Sequence, residues 1–288
     1  MKLSTAESVA PWLAAQRCGI DLDDWQKEML FRAIIKRQST AAACARQVGK
    51  SEAVAWAVIT ELAIGPLIHG REPFVVLAAP AQRQSGELLR RITGYLRKLD
   101  AEFSEVNKSS LELVGGGRVV AIPGQANTVR SLSGLSLLAV DEAAFFLPEP
   151  DGSPSEFFAS VLPMTSTTSA PIFLASSPPI HNKGSFFSSV YRDTEAHPHW
   201  HRMEVSQFDC GRISAEAIAE QRALLTEVQY EREILGKFVE TMGAGILSAE
   251  EMEALRGSRS ATKSLDLPSL ASGRTHTTPR KNFSPVNI

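Results

Sequence analysis

Four apolar runs lack the in–out alternation of a half-solvated strand: TAAACA at 40–45, FVVLAAP at 74–80, LSLLAVD at 135–141 and APIFLAS at 170–176. Each is short and bounded by turn residues, and helical periodicity fills the spaces between them. Strands apolar on both faces belong inside a parallel sheet covered by helices on both sides, so the expected class is α/β. In such sheets ligands collect beyond the carboxyl ends of the strands. The chemically loaded turns of this chain follow the first, third and fourth runs.

Between the runs, Asp24 is placed to cap a helix through WQKEMLFRAIIKRQ, with Met29, Leu30, Ala33 and Ile34 at helical spacing. SEAVAWAVITELAI is expected to form a helix stopped by Gly65-Pro66, and QRQSGELLRRITGYLRKL a second long one. LELVGGGRVVAIPG reads as a hairpin around Gly115–Gly117. From about Val205 to Leu255 the pattern is mainly helical, as in SAEAIAEQRALLTEVQYEREIL and SAEEMEAL. Beyond Gly257 it is rich in Ser, Thr and Pro. From Arg256 onward six bases, Arg256, Arg259, Lys263, Arg274, Arg280 and Lys281, face the single acid Asp266, the pattern of a disordered basic tail. The expected organisation is therefore an α/β domain over 1–204 with a peripheral first twenty residues, a helical linker or subdomain over 205–256, and the tail over 257–288.

Composition narrows the class further. With 43% hydrophobic and 22% charged residues the chain is not wholly disordered, collagen-like or fibrous. A formal charge of -2 argues against coating nucleic acid by bulk charge, so any such binding needs a local patch. Cys18, Cys44 and Cys210 are odd in number and far apart, which supports neither a disulfide framework nor a thiolate zinc site and fits a reducing compartment. The first residues lack an apolar core of signal-peptide length, so no signal peptide is expected. The run at 74–81 is too short to cross a bilayer, and no membrane partner is expected.

The strongest chemical signal is CARQVGKSEAVAW, which sets Gly49-Lys50-Ser51 between a strand and a helix. A phosphate loop needs backbone N–H groups, here from Gln47 to Ser51 including Val48, at the positive end of a helix. It needs glycine where no Cβ fits, a lysine for the β- and γ-phosphates and a hydroxyl for Mg2+, which Gly49, Lys50 and Ser51 supply. The usual GxxxxGK[ST] pattern asks for glycine at 44, where this chain has Cys44. About ninety residues on, the third run delivers Asp141 and Glu142 to its end. Asp141 suits the Mg2+ shell, and Glu142 suits the base that positions or deprotonates water. A plain solvated strand end is the alternative.

Weaker signals surround these. Gln26 can pair with both edges of adenine, or simply face solvent from its helix. Ser176-Ser177 can sense a γ-phosphate, or end a strand in an ordinary turn. Arg46 can reach transition-state charge on phosphates, or lie on the surface. His197, His199 and His201 would share one face of a strand, where a metal could bind, but no acid or cysteine completes a set. The helix with Arg83, Arg90, Arg91, Arg97 and Lys98 could touch a DNA backbone or be a solvated face.

Taken together, and over about residues 20–245, these motifs resemble the large terminase subunit of tailed bacteriophages. That family's loop commonly carries Arg-Gln before x-Gly-Lys-Ser/Thr, here Arg46-Gln47-Val48-Gly49-Lys50-Ser51, which removes the objection at Cys44. The resemblance extends to Trp25-Gln26 as an adenine motif, to FVVLAAPAQRQSGELL, to Arg130–Gly134 before the acidic strand, and to Asp141–Phe145 as a DEAAF-like Walker B box. It also takes in Ser176-Ser177-Pro178 as a coupling motif, Gly184–Phe187, and YEREILGKFVE as a linker helix.

The resemblance implies a RecA-like P-loop ATPase that binds ATP and Mg2+ and drives double-stranded DNA into a procapsid. It carries the loop arginine's role to Arg46, the metal acid's to Asp141 with Ser51, and the catalytic glutamate's to Glu142. It further implies a small terminase subunit, a portal and a ring oligomer as partners, in a bacterial host cytoplasm with a phage or prophage gene. Complete family members continue into a nuclease domain. This chain ends soon after Leu255, so no endonuclease activity is expected, by truncation, frameshift or a split gene. A DExx-type helicase shares the loop and acids but needs a second RecA-like domain. A remnant that only binds partners is the third reading.

Overall fold

The structure, a computed structural model, describes residue 7 and residues 12–124, 132–146, 155–179 and 185–239. All of them lie in the unit Met1–Thr241. Arg130, Gly184, the SAEEMEAL segment and the basic tail fall outside the described residues.

An eight-stranded sheet forms the centre, in the order β3-β4-β5-β2-β6-β7-β1-β8. Its strands are β1 Thr40–Cys44, β2 Phe74–Ala79, β3 Phe103–Val106, β4 Ser110–Leu113, β5 Arg118–Pro123, β6 Leu137–Asp141, β7 Ile172–Ser176 and β8 His201–Val205. From β5 to β8 every pairing is parallel; the β3–β4 and β4–β5 pairings are antiparallel. The four apolar runs became β1, β2, β6 and β7, and they are neighbours at the middle of the sheet. Alternate residues serve opposite cores. Ala42, Cys44, Val75, Leu77, Leu137, Ala139 and Phe173 pack on one face. Ala41, Ala43, Val76, Ala78, Leu138, Val140 and Leu174 pack on the other, with Phe157, Phe158 and Phe187. Burial on both faces is the physical reason the runs carry no polar alternation.

The expected hairpin forms between β4 and β5, with Gly115, Gly116 and Gly117 all at positive φ. The sequence reading missed β3 and β8. Both lie at edges of the sheet, where HRMEV is only partly covered, so neither shows an apolar run. Strand β8 also crosses the 204/205 boundary drawn from sequence.

The helices depart from the expected limits in instructive places. A short helix, Leu13–Arg17, buries Ala14 and Ala15 in the core, so this part of the first twenty residues is not peripheral. The next helix, Asp24–Leu30, is capped by Asp23 rather than Asp24, because the Gln26 side chain turns back to accept from Asp23 N–H at 2.8 Å. It continues as a π-helical turn over Phe31–Ile35. The helix after the glycine-lysine loop, Lys50–His69, runs past Gly65-Pro66 and ends at Gly70 in the left-handed region. Its last turn is tied down by His69 Nε2 at 2.9 Å from the fully buried Glu61 carboxylate, across the site of the proline. Arg37 closes the same charge network at 2.7 Å. This helix has the length and hydropathy of a bilayer span, yet most of it is buried inside the protein, as suits a core helix. The long helical stretch expected near 215–235 is two helices, Ala215–Leu224 and Glu227–Glu233. Thr226 starts the second through a Thr-x-x-Gln capping box.

Candidate active site

Strand β7 lies between β1 and β6, and register sets the tips level: Ala43 pairs with Ser176, and Asp141 with Ala175. Residues 45–49 leave the end of β1 and turn sharply into the helix Lys50–His69. The turn uses left-handed backbone at Gln47, φ 63°, and at Gly49, φ 94°. The left-handed backbone at Gly49 favours glycine, and a Cβ there would stand 2.9 Å from Gln26 Nε2 and 3.0 Å from the Arg212 guanidinium, so both side-chain ends would have to shift.

Three tips meet at this turn. Ser51 Oγ donates to Asp141 Oδ2 at 2.6 Å. Lys50 Nζ donates to Ser177 Oγ at 3.0 Å and lies 3.8 Å from Glu142 Oε1. Ser176 Oγ accepts from Ala144 N–H at 3.1 Å and reaches Glu142 Oε2 at 3.5 Å. Glu142 itself sits in the left-handed region, φ 52°, for a residue type that seldom adopts it. That turn of the backbone aims its carboxylate back toward Lys50. Burial pushes the Asp141 carboxyl above its usual range, against the opposing pull of Ser51 and Lys50. Burial raises the Glu142 carboxyl as well, with Lys50 opposing and Asp141 adding to the rise. A buried acid with a raised pKa beside a lysine is the kind of perturbation found at reactive sites. Cys44, at the first position of the loop pattern, is wholly buried in the core and its thiol is pushed up by burial.

A cavity of about 690 Å3 opens on this cluster, lined by Gln26, Gln47, Gly49, Lys50, Ser51 and Glu142 among others. A second, of about 520 Å3, shares Lys50 and Glu142 and adds Arg46, Gln84, Phe145 and Ser177. Gln26 is 1% exposed, and its amide N–H donates to Gly49 C=O at 2.9 Å. Its oxygen accepts from Asp23 N–H, so the amide ties its own helix to the loop. Arg46 points away from the cluster: its Nε donates to Glu233 Oε2 at 2.5 Å, and Glu233 also takes Arg232. Its backbone is held too, by Glu233 C=O at 2.9 Å and by Gln207 Nε2 at 3.2 Å.

The remaining sequence candidates lie elsewhere. Only His201 belongs to β8; His197 and His199 precede it in a turn, where His197 Nε2 lies 3.3 Å from Ser189 Oγ. Proline at 198 and the turn keep the three off a common strand face, and no group of metal-ligating side chains forms among the described residues. On the arginine helix, Gln82–Lys98, Arg91 turns to the 690 Å3 cavity and pairs with Glu52, whereas Arg83, Arg90 and Arg97 line a separate groove with Lys108. Sequence reasoning missed Asp23, Glu52, Glu233 and Arg212. Glu52 directly follows Ser51, and Asp23 stands three residues before Gln26 in a capping-box pattern, so both lay beside residues already singled out. Glu233 and Arg212 come from the chain after β8, and no spacing signals them.

The fold is shared with solved large terminases. The ATPase domain of the Thermus phage P74-26 large terminase superposes at a TM-score of 0.59 with 17% identity, over 78% of this chain and 96% of that one. The bacteriophage HK97 large terminase gives 0.61 with 15% identity, over 82% of this chain and 56% of that one. A large terminase from a thermophilic bacteriophage, in complex with ADP, gives 0.59 with 15% identity, over 76% of this chain and 54% of that one. The chain thus spans little more than half the length of the two longer proteins. No family model matches the sequence, and no curated protein matches it. The expected class, a RecA-like α/β domain with a mainly parallel sheet, is the fold observed, and it is the fold of large terminase ATPase domains.

Proposed function

We propose that this chain is an ATP-hydrolysing motor subunit of the terminase type, which powers the movement of double-stranded DNA into a procapsid. The observation that carries the reading is the meeting of Lys50, Ser51, Asp141, Glu142 and Ser177 at three neighbouring strand tips, around a glycine turn that opens a helix. That is the set phosphoryl transfer from a nucleoside triphosphate needs. The N–H groups of Gln47–Ser51 face the phosphates, and Lys50 exchanges its Ser177 contact for phosphate oxygen. Glu142 orients the attacking water and takes its proton. The new bond is from water oxygen to the γ-phosphorus; the β–γ bridging bond breaks, and its electron pair leaves with ADP.

The donor set fits Mg2+. Ser51 and Asp141 offer one hydroxyl and one carboxylate, and Mg2+ characteristically completes its octahedron with waters and phosphate oxygens rather than further side chains. A cation there would also relieve the burial penalty on Asp141. Bound, the ion would neutralise charge on the phosphates. Ser176 links Glu142 to the tip of β7, so loss of the γ-phosphate can be felt along that strand. Arg46 shares a cavity with Lys50 and Glu142, and to act on the phosphates it would have to release its ion pair with Glu233.

The family resemblance of the motifs and the fold shared with large terminases support double-stranded DNA as the polymer moved. They also favour a small terminase subunit and a portal as partners, a ring oligomer on the portal, and a phage or prophage gene expressed in the host cytoplasm. The reading assigns these 288 residues no nuclease activity. The test is phosphate release from ATP by the purified chain with Mg2+, with and without double-stranded DNA and portal-bearing capsids. Slow basal turnover that rises with DNA or capsids is expected; no turnover under any of these conditions overturns the reading.

A further inference from the structure

The cavity at the glycine turn extends beyond the phosphate loop to an end lined by other segments of the chain. Gly19, Ile20, Asp21, Gly211 and Arg212 form that end. Arg212 is held firmly there. Its guanidinium makes a paired contact with Asp23, at 3.2 Å and 2.7 Å, and donates to Val48 C=O at 2.9 Å. Asp23 is largely covered, while half of the Arg212 side chain stays open. A guanidinium pinned along its edge and half open to the cavity can present a face to a ligand, and such faces stack on flat π-systems. The described lining of the cavity contains no aromatic ring that could do this instead. Among these residues Ile20 adds the apolar surface.

We propose that Arg212, fixed by Asp23, is the nucleobase platform of this site, so that a purine stacks on its guanidinium while the triphosphate lies on Gln47–Ser51. The proposal rests on the ATPase reading and adds which part of the substrate the 19–23 and 211–212 segments recognise.

Binding of ATP and of inorganic tripolyphosphate, each with Mg2+, separates this role from a merely structural one. Affinities are read by competition against a fluorescent ATP analogue in the wild type, Arg212→Ala and Arg212→Lys. Loss of stacking raises the ATP dissociation constant about 5- to 30-fold in Arg212→Ala. Tripolyphosphate affinity stays within about twofold, because it has no base to stack. Arg212→Lys keeps the charge and a donor for Asp23 and Val48 but not the flat face, so it should lose most of the same ATP affinity. Equal losses for ATP and tripolyphosphate would show that Arg212 only shapes the loop, and would overturn the proposal. Full rescue by lysine would overturn it too, since charge alone would then suffice. A wild-type chain that binds ATP no better than tripolyphosphate also refutes the platform while leaving the phosphate site standing. A wild-type chain that binds neither overturns the ATPase reading and the platform together.

Discussion

Replacing Glu142 by glutamine isolates the chemical step from binding. The amide keeps the size and the Ser176 contact of the carboxylate, whose Oε2 lies 3.5 Å from Ser176 Oγ, but cannot take a proton from water. A positioned general base is worth roughly 10²- to 10⁴-fold, or about 2.7–5.5 kcal/mol of barrier. Burial raises the Glu142 carboxyl above the ordinary glutamate range, toward the pH where a base is most effective, so the loss should fall within that range. Binding should not suffer. The carboxylate stands 3.8 Å from Lys50 Nζ, and removing its charge leaves the lysine freer to meet phosphate. Steady-state phosphate release gives kcat, and titration with a fluorescent ATP analogue gives affinity. The acid side of the profile adds a second reading: wild-type kcat falls as Glu142 is protonated, at a pH above the ordinary glutamate range. Turnover within about threefold of wild type, or ATP affinity lost in step with turnover, would refute the base assignment.

Other consequences follow from the same contacts. Lys50→Ala should cost most of the affinity for the triphosphate, checked by the same titration, while melting changes little. Asp141→Asn should abolish turnover yet raise the melting temperature of the nucleotide-free protein at neutral pH. The folded-state carboxyl is raised, so its stability contribution is fully present below the unfolded value of 3.8 and is lost as pH rises through the higher folded value; a lower melting temperature in that variant would contradict the burial argument. Arg37→Met leaves the wholly buried Glu61 carboxylate without its guanidinium partner at 2.7 Å. The cost should be about 3–5 kcal/mol, or a melting shift of at least about 6 °C, and a shift under about 2 °C would contradict it. Gly236→Ala would place a Cβ 2.6 Å from Val205 C=O and 2.7 Å from Ala45 N, at φ +70°. Scanning calorimetry should show a loss of about 2 kcal/mol or more, and ATP affinity should weaken because Ala45 opens the phosphate loop.

The sequence carried the middle of this molecule and lost its margins, for a physical reason. Strands buried on both faces must be apolar throughout, so β1, β2, β6 and β7 announce themselves, and their tips hold the loop and the acids. Strand β8 lies at the edge and needs no such composition, so HRMEV passed as connecting chain. Gly65-Pro66 misled because local propensity argues for a stop there, whereas the Glu61–His69 contact and burial hold the helix through it. The glycine turn, Asp141 and Glu142 were legible because backbone geometry confines them to short, ordered motifs. Arg212 and Glu233 were not, because what brings them to the loop is the path of the chain after β8, and nothing in their own neighbourhoods encodes it. Arg46 was legible as a loop residue, but its engagement by Glu233 was not.

The central claim is that three strand tips surround one magnesium-bound triphosphate. A crystal structure of the chain with Mg2+ and a non-hydrolysable ATP analogue tests it most directly. The account predicts phosphate oxygens within hydrogen-bond distance of the N–H groups of Gln47–Ser51 and of Lys50 Nζ, with the metal beside Ser51 and Asp141 and Glu142 facing the γ-phosphate. A nucleotide bound away from this turn, or one whose γ-phosphate lies beyond the reach of Lys50 and Glu142, would contradict it.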